Sequence, residues 1–165
     1  MSSIRISKTD FETIYDTYAS LLFRLALSHL QNREDAEDVV HDVFAKYLEV
    51  AHKLKDDEHR RAWLVKVTVN KCHDSFRRKR NRIHIPLDDI NELPCEEKEE
   101  LPDVLGMVAN LSEKYKTVIV LHYLEGYLVE EISSMLSISD SAVKMRLSRG
   151  RDMLRNNMQK EEKNV

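Results

Sequence analysis

The side chains able to do chemistry fall into two kinds, basic clusters and a row of acids. From Arg60 to Arg82 the chain carries nine Lys or Arg against one acid, Asp74. From Ser141 to Arg155 it carries five (Lys144, Arg146, Arg149, Arg151 and Arg155) against one, Asp152. Such segregation suits a polyanion touched at two places, or two solvated helix faces. Glu34, Glu37, Asp38 and Asp42 recur along one side of a helical period. That ridge suits solvent or a protein partner. Asp38 and Asp42 stand one turn apart and could share a Mg²⁺, but no Gly-rich phosphate loop accompanies them. The seven His and two Cys lack zinc-site spacing. The one close pair, Cys72-His73, is adjacent on a helix and faces two ways. No metal and no cofactor is therefore expected, no Ser/His/Asp arrangement is supported, and the chain reads as non-catalytic.

These side chains must be positioned by helices. The 165 residues include only three Gly and three Pro, which argues against hairpin-rich β folds and low-complexity chains. No run of ~18 apolar residues marks a membrane span, and the N-terminus shows no signal-peptide segment. Two lone cysteines fit a reducing compartment, so a cytoplasmic location is expected. Thr9-Asp10-Phe11-Glu12 has capping-box spacing ahead of Ile14, Tyr18, Leu21, Leu22 and Leu25. Asn32 is the next N-cap, opening a helix to about Ala51 with Val39, Val40, Val43, Phe44, Tyr47 and Leu48 on its apolar side. Asp56 and Asp57 open a third helix through Trp63, Leu64, Val67 and Phe76. Residues 83–97 hold Pro86, Pro94 and five acids without an apolar period, and read as an acidic, flexible linker. Beyond it, Pro102 starts a short helix, Ser112 caps another that stops at Gly126, and Val129 to Leu136 forms a third. After a break at Ser137-Ile138-Ser139 a long helix runs from Asp140 to about Asn157. The expected fold is all-α: two small helical domains, 1–82 and 98–165, joined by a tether.

The net charge of −3 hides this organisation. Residues 1–82 sum to +3, residues 83–97 to −5 and residues 98–165 to −1. The last two helices have helix-turn-helix proportions. Ile132, Leu136, Ile138, Val143 and Leu147 can fill the angle between them. Ser141, Lys144, Met145, Ser148, Arg149, Asp152 and Arg155 are left towards the outside. Lys144 and Ser148 suit base edges in a major groove, and Arg146, Arg149 and Arg151 suit phosphates. An ordinary helical hairpin would share the pattern.

Two further sets of residues carry a resemblance. Leu111-Ser112-Glu113-Lys114-Tyr115, Val118-Ile119, Leu121, Tyr123, Glu125-Gly126, Glu131-Ile132 and Val143-Lys144 through Arg149-Gly150-Arg151 and Leu154 resemble region 4 of bacterial sigma factors. Asp35-Ala36-Glu37-Asp38-Val39-Val40-His41-Asp42-Val43-Phe44, followed by Trp63-Leu64, Val67, Asn70, Asp74 and Arg77-Arg78, resembles region 2. The order and spacing match, and the likeness spans nearly the whole chain outside the linker and the ends. With no room for other sigma domains, the chain resembles the small extracytoplasmic-function (ECF) class. It departs from the family at the turn, where Ser137 stands for the usual Gly, at Ser133, and at Gly150, which replaces Ala in an Arg-Ala-Arg motif.

The resemblance implies a non-enzymatic factor that binds core RNA polymerase and directs promoter-specific initiation. It assigns polymerase contact to Asp35, Glu37, Asp38, Val39, Asp42 and Phe44. It assigns the single-stranded −10 element to Arg60, Arg61, Trp63, Lys66, Asn70, Arg77 and Arg78, with the loop Lys53 to Arg61 holding an everted base. The duplex −35 element falls to Ser141, Lys144, Met145, Arg146, Ser148, Arg149 and Arg151. The linker would thread the channel used later by nascent RNA, and an anti-sigma factor is an expected partner. Two other readings stay open: a helical adaptor for an acidic protein, and a helix-turn-helix repressor acting without polymerase.

Overall fold

The computed structural model describes residues 6–54, 56–83 and 103–164. Among these every regular element is helical: α1 (Lys8–Leu30), α2 (Arg33–Val50), a 3₁₀ turn (Ala51–Lys53), α3 (Asp57–Ile83), α4 (Asp103–Ala109), α5 (Glu113–Ile119), α6 (Val129–Leu136) and α7 (Asp140–Lys163). The expected acidic linker, 83–97, lies almost entirely outside the described residues.

Local chemistry sets the boundaries of the N-terminal bundle. Ser7, rather than Thr9, caps α1: its hydroxyl accepts from the Asp10 N–H at 3.1 Å. Either residue type can cap, but Thr9 lies inside the first turn and its carbonyl accepts from the Thr13 hydroxyl. Gln31 ends α1 in the left-handed region, at φ 54°, and Asn32 at once caps α2 by accepting from the Asp35 N–H at 2.9 Å. A connection this short makes α1 and α2 antiparallel neighbours. Asp56 caps α3 through the His59 N–H, 2.7 Å. Leu22, Leu25, Val43, Tyr47, Leu64 and Val65 meet in the bundle with essentially no exposure. Leu48, expected on the apolar side, is 47% exposed. One residue beyond Tyr47, it is rotated ~100° about the helix, which takes it off the core-facing stripe.

In the C-terminal half, Ser112 precedes α5 with extended backbone but makes no side-chain cap bond. The helix expected to run unbroken to Gly126 changes pitch. Residues Val120–Leu124 form a π turn, with Glu125 N–H donating to Val120 O and Tyr127 N–H to Leu121 O. Gly126 then takes φ 77°, a conformation open to Gly at little cost. Helix α6 starts with the Glu131 carboxylate accepting from the Leu128 N–H at 2.8 Å, the half of a capping box that an apolar N-cap permits. Helix α7 runs six residues past the expected Asn157, because Gln159, Lys160, Glu161, Glu162 and Lys163 are all good helix formers.

Candidate nucleic-acid interface

The turn between α6 and α7 is built by backbone strain and two serines. Ser137 sits at φ 55°, ψ 44°, a left-handed conformation that costs an L-residue ~1–2 kcal/mol. The Ser133 hydroxyl donates to the Ile138 carbonyl at 2.6 Å, and the Ser139 hydroxyl caps α7 by accepting from the Ala142 N–H at 3.1 Å. Ile132, Val143 and Leu147 are buried in the angle as the pattern required, together with Met135, which the periodicity did not single out. Leu136 and Ile138 are half-buried. The seating of α7 depends on Gly150, where an added Cβ would stand 3.0 Å from Ile119 Cγ1 and 3.1 Å from Cδ1.

That seating turns a defined face of α7 outward. Ser141, Lys144, Met145, Ser148, Arg149, Asp152 and Arg155 are all exposed. A small-and-basic stripe beginning at the helix N-terminus has the form of a major-groove reader, with arginine further along for phosphates. Two residues of the expected −35 set differ in setting. Arg151 donates to the Tyr123 hydroxyl at 2.8 Å, and Arg146 is half-buried at the edge of a cleft.

On α3 the expected −10 residues divide. Arg60 is committed within its own bundle: it donates to the Tyr47 hydroxyl at 3.0 Å and the Leu54 carbonyl at 3.2 Å, and pairs with Asp57. It braces the turn before α3. Trp63 is half-buried, its ring 6.0 Å from that of Tyr47. Lys66, Asn70, Arg77 and Arg78 are exposed. Arg61 lies against the other half of the molecule, 4.8 Å over the Tyr127 ring and 3.7 Å from the Glu131 carboxylate.

The acidic ridge is on α2. Glu34, Glu37, Asp38 and Asp42 are exposed and Asp35 is half-buried. Val39 and Phe44, placed with them from the sequence, are buried instead, Phe44 edge-on to Phe11 at 6.0 Å between ring centroids. These two can fix where the ridge stands but cannot themselves meet a partner. Among the described residues of this bundle, the exposed large apolar ones are Tyr15 and Leu48.

The two halves pack on each other, α3 against α6 and α1 against α4 and α5. Beside an apolar core shared by both halves, polar contacts line the seam. Arg24 grips Glu125 with both Nε and Nη2, the latter at 2.9 Å. Lys66 Nζ donates to the Ser137 hydroxyl at 3.2 Å, the Gln31 amide donates to the Ala109 carbonyl at 3.2 Å, and the Ser134 hydroxyl reaches Glu58 at 3.4 Å. Between the halves lies a cleft of about 500 Å³, whose walls include Lys66, Asn70, His73, Glu113 and Arg146.

At the floor of this seam is a cluster that residue spacing did not show. His29 of α1, His73 of α3 and Glu113 of α5 each bring a possible ligand atom within 4.8 Å of the others. Burial, then the charge of Lys116, then His73 push the His29 imidazole down to about 3, so it is neutral. Its Nε2 is 3.2 Å from the Thr117 hydroxyl, while Nδ1 is buried without a hydrogen-bond partner. Leaving such a group unmet costs ~1–3 kcal/mol. Cys72, beside His73, is fully buried, and burial followed by Glu113 pushes its thiol up to about 12. It is a packed thiol, not a thiolate.

Comparison with known proteins decides the family. The model of sigma-70 region 2 matches residues 14–82, and that of sigma-70 region 4 matches residues 102–154. RNA polymerase sigma factor SigV of Bacillus subtilis is 30% identical over 143 residues, covering 85% of this chain and 86% of that protein. This chain belongs to the sigma-70 family. The ECF sigma factor SigX of Bacillus subtilis is 26% identical over 163 residues, covering 90% of this chain and 84% of that one. The fold agrees with that of the sigma factor RpoE of Bartonella quintana, solved with the anti-sigma factor NepR (TM-score 0.72, 20% identity, 92% of this chain and 98% of that one). CnrH, solved with the cytosolic domain of CnrY, superposes with TM-score 0.70 at 24% identity, over 93% and 90% of the two chains. The chain is an ECF sigma factor, directs promoter-specific transcription initiation, and is not an enzyme. No described helix is long and apolar enough to cross a membrane.

Proposed function

We propose that this sigma factor divides its work among three helices. The exposed acids of α2, seated by Val39 and Phe44, meet core RNA polymerase. The exposed part of α3, with Lys66, Asn70, Arg77 and Arg78 beside Trp63, takes the melted −10 strand; Arg61 joins them once freed, and Arg60 shapes the loop that precedes them. Ser141, Lys144, Met145 and Ser148 of α7 read the −35 duplex, with Arg146, Arg149 and Arg151 on its phosphates. The single observation that carries this reading is the continuous exposed small-and-basic face of α7, starting at its N-terminus, on a helix-turn-helix. The functional units are residues 1–82 and 98–165, with 83–97 as the acidic tether. An anti-sigma factor is a partner, and the protein works where the polymerase is, in the cytoplasm.

The packed arrangement is a resting state. Promoter elements at −10 and −35 lie ~25 base pairs apart, or about 85 Å at 3.4 Å per base pair. Helices α3 and α6 are in direct contact, so the two readers cannot span that distance until the halves separate. Separation also frees Arg61 from Tyr127 and Glu131. Adding the protein to core polymerase on a panel of candidate promoters tests the reading. Specific run-off transcripts are expected, and their absence from every template would overturn it, as would tight dimeric binding to duplex DNA without polymerase.

A further inference from the structure

The promoter reading makes no use of the polar cluster at the seam. His29, His73 and Glu113 come from three helices, two in the first half of the molecule and one in the second, and their ligand atoms all lie within 4.8 Å of one another. His29 is fully buried with Nδ1 unpartnered, and His73 Nε2 lies 2.6 Å from Glu113 Oε2 without the alignment of a hydrogen bond. Two imidazoles and a carboxylate suit Zn²⁺ and its neighbours, whereas Mg²⁺ and Ca²⁺ take oxygen ligands.

We infer that His29, His73 and Glu113 bind a divalent transition-metal ion of the Zn²⁺ class, and that this ion fastens the two halves together. Zn²⁺ with bonds of ~2.0–2.1 Å sets tetrahedral ligand atoms ~3.4 Å apart. The cluster reaches that size by side-chain rotation alone, since His73 and Glu113 are 38% and 41% exposed at the side chain. His29 is the fixed member. The cleft leaves the fourth position to water. Cys72 is fully buried and lies outside the group of mutually close ligand atoms, and the buried Lys116 nearby opposes a cation, so Glu113 supplies the needed negative charge.

All three ligands are together only when the halves are packed, so the ion favours that arrangement by its differential affinity for it. This consequence rests on the resting-state reading above; the site itself does not. With α6 held on α3, Arg61 and Lys66 stay engaged, and the ion acts as a brake on promoter use.

The test uses the full chain stripped of metal. Zn²⁺ is titrated calorimetrically, Co²⁺ is followed by its visible absorption, and amide hydrogen exchange is recorded along α5 and α6 with and without Zn²⁺. One equivalent of Zn²⁺ is expected, with a tetrahedral Co²⁺ spectrum and slower exchange in both helices, while Mg²⁺ does nothing. His73→Gln and Glu113→Gln, at part-exposed positions, keep the fold and weaken Zn²⁺ by at least the ~10–100-fold that losing even an outer partner costs such sites. No stoichiometric binding, or binding unchanged in both variants, overturns the site. Binding without slowed exchange overturns the clamp. Neither readout depends on transcription, so the promoter reading stands or falls separately by its run-off transcripts.

Discussion

Removing the Arg24 side chain should make the polymerase holoenzyme of this sigma factor bind its promoter more tightly. Arg24 of α1 holds Glu125, just after the π turn, through two parallel N–H donors. Glu125 is the costly partner to strand, because its side chain is only 10% exposed while that of Arg24 is 41% exposed. Charge-assisted hydrogen bonds contribute ~1.5–3 kcal/mol net. Solvent around Arg24 screens the pair, which brings the expectation to the lower part of that range, ~1.5–2 kcal/mol. At 1.4 kcal/mol per factor of ten, Arg24→Ala then shifts the packed-to-open equilibrium by about 10–30-fold.

The two readers engage a promoter together only in the open form, and where that form is the minority, apparent promoter affinity rises in proportion to its population. Titration of a labelled −35/−10 promoter fragment with the holoenzyme should therefore show a dissociation constant lower by up to about 10–30-fold for Arg24→Ala, and a change of the same sign for Glu125→Gln. The double variant should gain little over either single one, since both remove one interaction. The matching sign is what discriminates: a residue that touches the promoter directly would weaken binding when removed. Unchanged or weaker affinity in both variants, with helical content intact, would refute the resting-state argument.

Gly150→Ala should gain ~1 kcal/mol of helix propensity yet lose ~1–3 kcal/mol to the clash with Ile119. A net loss of up to about 2 kcal/mol is expected in urea denaturation, and Ile119→Ala should cost less in the Gly150→Ala background than alone. Ser137→Gly should raise Tm by ~1–4 °C, because relief of left-handed strain outweighs the added chain entropy by about 0.5–1 kcal/mol; a lower Tm would contradict the strain. Lys144→Ala should alter preference at one −35 base pair, whereas Arg149→Ala should weaken all −35 variants alike and flatten the salt dependence by ~0.9 in the log–log slope. Equal losses on every sequence for both variants would remove that division of labour.

How much was legible in the residues depended on the range of the physics involved. Caps act over three residues, so Asn32, Asp56 and Ser139 could be read or closely approached from spacing. Ser137, standing where a Gly would be easier, and Gly150, small on a packed seam, both announced backbone geometry and took it. Periodicity separates faces by about 100° per residue, too coarse to decide Leu48, or to warn that Val39 and Phe44 lie under the ridge rather than on it. The His29–His73–Glu113 cluster was invisible for another reason. Its members sit on three helices, and no local pattern encodes a meeting produced by the packing of two halves. Arg61 belongs with it: its charge suggested DNA, and its partners in the fold are Tyr127 and Glu131.

The chemistry of the seam explains why a net charge of −3 says so little. Arg24–Glu125, Arg61–Glu131, Lys66–Ser137 and Glu58–Ser134 pair polar groups across the halves. The halves also share apolar core residues, and these polar pairs beside that core are the part of the seam that can be exchanged when domains move apart. Apart from Arg24–Glu125, whose carboxylate is nearly buried, these groups can exchange their partners for water or a phosphate at modest net cost, since part-exposed ion pairs contribute little. On the proposed reading, Arg61 and Lys66 have two sets of partners of similar kind: a carboxylate, a ring and a hydroxyl in the packed form, phosphates and bases on the melted strand. Glu131 of α6 then competes with DNA for Arg61. Arg61 is held by its own chain until a promoter offers more negative charge than Glu131 supplies, while Lys66, Arg77 and Arg78 of the same helix already stand exposed.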